Sequence, residues 1–241
     1  MNSETTLPTL IKISRWAALT CLCLLPLSVL GVRTGLLPVF LGLGLFALSA
    51  LGGILVMIAL VVLIMLPRFS AHREHLIRSI AACAVPVLIS LLVFGSQPDV
   101  PAIHNISTDT VDPPQFEAAI AQRGDNSNPL EYTKDVAAIQ EQAYPELGSH
   151  FSELSKDAAF DRALARASEM NWEVYAQDRD AGRIEAVETT FWFGFKDDIV
   201  IRVRAHGPGS RIDLRSVSRV GRSDLGANAA RIRNFLAEFG N

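Results

Sequence analysis

The sequence predicts an α+β protein in two parts. An N-terminal three-helix transmembrane region is followed by a soluble domain with a four-stranded antiparallel sheet and two packing helices. Three observations predict this. Apolar stretches at about 13–31, 36–66 and 76–95 fill the start of the chain. From Gln97 onward the chain is polar and charged. Within 151–241, one helical repeat, four strand-like runs and a second helical repeat follow in order.

A bilayer core of roughly 30 Å takes about 20 apolar residues as helix. The first and third stretches meet that length, and 36–66 exceeds it. It reads as one long or tilted helix, starting near Gly42 after Pro38, because Gly52-Gly53 is a poor turn. Gly42, Gly44, Ala47, Ala50 and Gly53 give it small residues through which a neighbouring helix can approach closely. The first stretch has a basic flank, but no small-x-small cleavage site follows it, so it reads as an uncleaved span.

Orientation follows from Lys and Arg near the membrane ends. Lys12, Arg15, Arg68, Arg73 and Arg78 share one side, and Arg33 stands alone in the opposite loop. That places the N-terminus in the cytoplasm and the large domain outside it. In a bacterial cell this means the inner membrane and the periplasm. Residues 1–96 hold six Lys and Arg against two Asp and Glu, and 97–241 hold sixteen against twenty-three. An acidic domain outside the cytoplasm excludes nucleic acid as a partner class. Cys21, Cys23 and Cys83 all lie in the spans, where cysteine acts as a small hydrophobe. The soluble part has no cysteine for a disulfide framework or thiolate metal site.

Residues 97–150 form an irregular lead. Pro98, Pro101, Pro113, Pro114, Pro129 and Pro145 forbid long helix in most of it, leaving an extended segment packed over the later core and a short helix at 135–143. Residues 155–170 read as a helix capped by Ser155 or Asp157, with Ala159, Phe160, Ala163, Leu164, Ala167 and Met170 at helical spacing. Strands are expected at 172–177, 183–195, 199–205 and 211–220, with turns at Asp180-Ala181-Gly182 and Gly207-Pro208-Gly209 and an interruption at Lys196-Asp197-Asp198. A final helix, capped by Ser223 or Asp224, runs to about Phe239 and buries Leu225, Ala229, Ile232, Phe235, Leu236 and Phe239. Both helices are expected on one face of the sheet.

The best candidate site runs from Asp213 to Asn228. It passes from a strand through a glycine turn into a helix start, where free amides and the helix dipole favour anions. Arg215, Arg219 and Arg222 add donors suited to carboxylate or phosphate, and Ser216, Ser218, Ser223, Asp224, Asn228 and the neighbouring-strand Arg202 complete the set. Two plainer readings stand beside it: Ser223 and Asp224 as ordinary caps, and the arginines paired with Asp213, Asp197 and Asp198 across strands. Asp224 itself competes with an external anion. Glu188, Asp197 and Asp198 form the acidic cluster available for acid–base or cation work, although paired Asp in a turn is usually solvated. Phe191, Trp192, Phe193 and Phe195 form an aromatic run. Alternation would send Trp192 to the face opposite the three phenylalanines, and one face would be core or an apolar ligand patch. His104, His150 and His206 lack metal-ligand spacing, so no metal or cofactor is expected. Ser216 and Ser218 lie in no nucleophile elbow.

Glu188-Thr189-Thr190, Trp192-Phe193-Gly194-Phe195 and the 197–203 strand are followed by the 210–221 strand and Ser223-Asp224-Leu225-Gly226-Ala227-Asn228. Together they resemble the uncharacterised domain-of-unknown-function family numbered fourteen ninety-nine. Ile103–Phe116 and Tyr144-Pro145 fit as well. The resemblance covers essentially all of 97–241 and implies a bacterial envelope domain, with no catalytic role for any residue. The expected function is a non-enzymatic periplasmic module that binds an anionic or lipid ligand or a membrane-protein partner. Two alternatives remain open. One is an enzyme acting on envelope lipid or glycan through Glu188, Asp197 or Asp198 with Arg215 and Arg219. The other is a structural subunit whose helices assemble in a membrane complex.

Overall fold

The computed structural model describes residues 8–95, 100–237 and 239. The chain divides into two compact units, 1–97 and 98–241. Gln97, Pro98 and Asp99, where the sequence changes character, lie outside the described residues.

The first unit holds α1 (Thr9–Arg33), α2 (Val39–Met65), a 3-10 turn (Pro67–His72) and α3 (Arg73–Phe94). It offers three helical spans long and apolar enough to cross a membrane. Pro38 precedes α2, which is continuous through Gly52-Gly53. The helices alternate in direction. The Ser49 hydroxyl donates to the Cys21 carbonyl at 2.6 Å, and Gly42 lies against Val32. Phe46 meets the Phe94 ring edge at 5.6 Å, and Gly53 lies against Cys83 and Val87. α1 and α3 therefore run parallel, both starting at the same end. Gly42, Ala50 and Gly53 face inward with Phe46 and Ser49, so the small side chains do set close approach. Gly44 and Ala47 point outward.

The second unit carries a mixed α+β fold. Its sheet has six strands rather than the four expected. β1 (Asn105–Ser107), β6 (Gly209–Ser218), β5 (Lys196–His206), β4 (Arg183–Thr189) and β3 (Glu173–Asp178) lie in that order, all antiparallel. β2 (His150–Ser152) also pairs with β6, beside Ser210–Ile212. β1 lies in the lead, and β2 begins at its last residue, His150. Three residues each are too few to show alternation, so composition alone read them as irregular.

The helices α6 (Lys156–Glu169) and α7 (Ala227–Ala237) share one face of the sheet. There Phe160, Ala163, Ile232 and Phe235 pack on Ile184, Ile199, Ile201, Ile212 and Leu214. The Ser155 hydroxyl caps α6 by accepting from the Ala158 amide. The lead covers the other face, where Phe116 and Ala119 of the short α4 (Ala119–Gln122) region, with Leu130, pack on Val200 and Val217. α5 (Lys134–Ala143) buries Gln140, which exchanges two hydrogen bonds with the Ser107 backbone. Gly182 closes the β3–β4 turn at φ +68, with Val203 so near that a Cβ would fall 2.0 Å from its carbonyl oxygen. Gly207 supplies the positive φ of the two-residue β5–β6 turn.

Three expectations need correction. β4 ends at Thr189, so the aromatic run is a loop. The Thr190 hydroxyl accepts from the Phe195 amide at 2.9 Å, and Gly194 takes a positive φ. Phe193 is buried while Phe191 is 82% exposed, which is not strand alternation. Lys196-Asp197-Asp198 does not interrupt but opens β5, with both aspartates buried. Leu225 is not part of the buried face of α7: it is 43% exposed, in the left-handed turn before the helix.

Candidate functional site

The residues singled out in sequence separate into groups on opposite faces of the sheet. On the helix face, β4, β5 and β6 end beside the start of α7. Glu188 pairs with Asp197 and Asp197 with Ser218 in the strand register, which puts their side chains on one face. Arg231, one turn into α7, reaches into this cluster. It donates to Asp197 at 2.6 Å, to the Ser216 hydroxyl at 2.9 Å, and to Glu188 and Asn228. Asn228 accepts from Ser216 at 2.7 Å and donates to Ser218 and to the His104 carbonyl, each at 3.0 Å. Burial opposes the charge on Arg231, but Asp197 and Glu188 outweigh it and push the guanidinium upward.

Asp224 sits at the head of α7. Its two carboxylate oxygens accept from the Gly226 and Asn228 amides at 2.8 and 2.9 Å. These amides would otherwise greet an external anion. Burial pushes the Asp224 carboxyl up, against the pull of those two amides. Ser223 accepts from the Leu225 amide at 3.2 Å, so both candidate caps act locally.

The lead-covered face holds a second group. Asp198 is clamped by Arg219 through two bonds, 2.7 and 3.0 Å, and by Arg123 from the lead. The bonds to Asp198, ahead of burial's opposing effect, push Arg219 upward. Arg215 is fully buried. It donates to Asn105 at 3.0 Å and to the carbonyls of Pro114 and Leu130, with its guanidinium 5.3 Å from the Phe116 ring centre. Burial lowers it to about 10, so it stays cationic at neutral pH. Farther along this face, Arg202, Arg204 and Arg211 converge on Asp109 and Asp213, with Arg202 and Arg204 also reaching Asp112.

Asp197 and Asp198 thus leave β5 in opposite directions and share no reacting position. Of the three arginines placed around the α7 start, Arg215 and Arg219 are turned inward and Arg222 is exposed. Trp192 stands in the 190–195 loop, edge-on to Phe191 at 5.5 Å. Arg231 is among the residues that sequence reasoning missed, with Arg123. The signal for Arg231 was present: with Asn228, Ile232 and Phe235 it falls on the buried stripe of α7, and a lone cation there needs buried partners. A cleft of about 200 Å³ in this unit lies elsewhere, lined by Glu117, Gln177, Asp178, Arg183 and Glu185, and takes in none of the expected residues. Among the described residues no group of three His, Cys, Asp or Glu is placed to hold a metal ion.

A family model described as a protein of unknown function, DUF1499, matches residues 105–239. None of the curated proteins compared with the chain matches it.

Proposed function

The chain belongs to the DUF1499 family, and on that footing we propose that it is a bacterial inner-membrane protein whose sheet domain faces the periplasm as a non-catalytic binding module. The three apolar helices and the excess of Lys and Arg at one membrane side support the placement. One observation carries the binding reading: the groups capable of chemistry are consumed internally, while large apolar side chains stand in solvent at one end of the sheet. Glu188, Asp197, Asp198, Arg215, Arg219 and Arg231 are tied into ion pairs or carbonyl contacts. At that same end Phe191 is 82% exposed, and Leu225 is 43% exposed, in the same loop as the exposed Arg222. The two loops that bear them leave adjacent strand ends, joined where the Arg219 amide donates to the Lys196 carbonyl at 2.9 Å.

Exposed aromatic surface at the same end as a cation suits a ligand or partner that is apolar with negative charge. In this reading Phe191, Trp192, Arg222, Ser223 and Leu225 make contact. Glu188, Arg215, Ser216, Ser218, Arg219, Asp224 and Asn228 build the platform, and Arg202 lies farther along the sheet. Catalysis through Asp197 and Asp198 is the weaker reading, because their side chains occupy opposite faces. The test is a photoreactive amino acid at position 191 of the full chain in cells, with position 111, 93% exposed, as control. A discrete adduct at 191 that weakens in Arg222→Ala is expected. Equal, diffuse labelling at both positions would overturn the reading.

A further inference from the structure

A cleft of about 200 Å³ opens between α1 and α3, lined by Arg15, Ala18 and Leu19 on one helix and His75, Arg78, Ser79 and Ala82 on the other. The spacing is that of a single face on each helix, and because α1 and α3 run parallel, the arginines of their second turns line the same cleft. The cleft is graded: cationic groups stand at its outer end, and Ala18, Leu19 and Ala82 floor its inner end. Ile13, Trp16 and Ile77, on the same turns of these helices, are exposed apolar side chains, and indole rings favour a bilayer interface. Negative charge is scarce. Glu74 is the one acidic residue between 8 and 95, and it pairs with Arg78 at 2.5 Å in an exposed contact. Such a contact is weak and easily exchanged for a stronger anion.

We propose that this cleft is a binding site for the phosphate headgroup of an anionic phospholipid. Arg15 and Arg78 take the phosphate oxygens, His75 lies beside them, and the glycerol and acyl portion lies on the apolar floor. Arginine suits this role because its planar fork meets two phosphate oxygens at once. Free phosphate shares the headgroup chemistry but gains nothing from the floor or from the flanking apolar side chains, which is why a lipid is the better occupant. The site depends on the helices lying in a bilayer and not on what the sheet domain binds.

The test is native mass spectrometry of the full chain in detergent, with phosphatidylglycerol, phosphatidylcholine or inorganic phosphate added. Selective retention of phosphatidylglycerol is expected. Retention should fall about thirtyfold in Arg15→Gln/Arg78→Gln and stay unchanged in Arg33→Gln, at the opposite helix end. Far-UV circular dichroism checks the fold, and the two single variants carry the test should the double variant misfold. Equal retention of the two lipids, or full retention by the Arg15/Arg78 variants, would overturn the proposal. Retention of inorganic phosphate as strong as that of phosphatidylglycerol would overturn the lipid assignment.

Discussion

At the scale of single residues, the soluble unit is organised by buried charges whose partners lie far away in sequence. Arg231 neutralises Asp197, thirty-four residues earlier, and Arg123 reaches Asp198 across seventy-five. This is why Asp197-Asp198 looked like a solvated turn: no local pattern announces a remote guanidinium. Removing one member of such a pair strands the other in a poorly solvated site. Arg231→Ala is expected to cost about 3–5 kcal/mol, read by urea denaturation followed through tryptophan fluorescence, since Trp172 stacks on Phe235 of the same helix. Arg231→Leu with Asp197→Asn should recover part of that loss. Asp109 gives a pH prediction. Burial would raise its carboxyl, but the Asp112 and Val111 amides together with Arg211 and Arg202 outweigh burial and hold it below the ordinary carboxylate range. A depressed carboxyl contributes stability that is fully present above its unfolded pKa of about 4 and is lost as pH falls through the lower folded value. Asp109→Asn should therefore be less stable than wild type at pH 7, with the gap closing below pH ~4 in thermal melts.

At the scale of elements, legibility followed length and periodicity. α6 was readable because five buried positions recur at helical spacing behind a serine cap. β5 and β6 were readable where apolar and charged side chains alternate, at 199–205 and 211–220, while the 196–198 start of β5 was not. β1 and β2 were not, because a three-residue strand is defined by its partner rather than by its own sequence. The aromatic run misled for a different reason: strand-forming side chains filled a loop fixed by Thr190 and Gly194. The candidate site was half legible. Its members were mostly named, but the division between faces depended on a register that no single strand reveals. The lead is integral to the sheet, since β1 and β2 cover β6 and Phe116 with Leu130 closes the far side. A fragment of 151–241 is expected to remain unfolded where 100–241 folds, as judged by circular dichroism and proteolysis.

At the scale of the whole molecule, the three natural cysteines all lie within α1 and α3, which makes sidedness measurable. Val111→Cys places a thiol at a 93% exposed site. A membrane-impermeant maleimide should label it in cells with a permeabilised outer membrane and an intact inner one. Labelling that needs disruption of the inner membrane would put the sheet domain in the cytoplasm. Finally, Asn105 and Arg215, which hydrogen-bond and lie on paired strands, are separated by 110 residues. A ribosome adding roughly 5–20 residues per second takes on the order of 5–20 s to cover that interval. Throughout it β1 has no strand to join, and the proline-rich lead must wait as open chain. The sheet cannot close until β6 emerges, and up to that point the edge that β1 offers stays open.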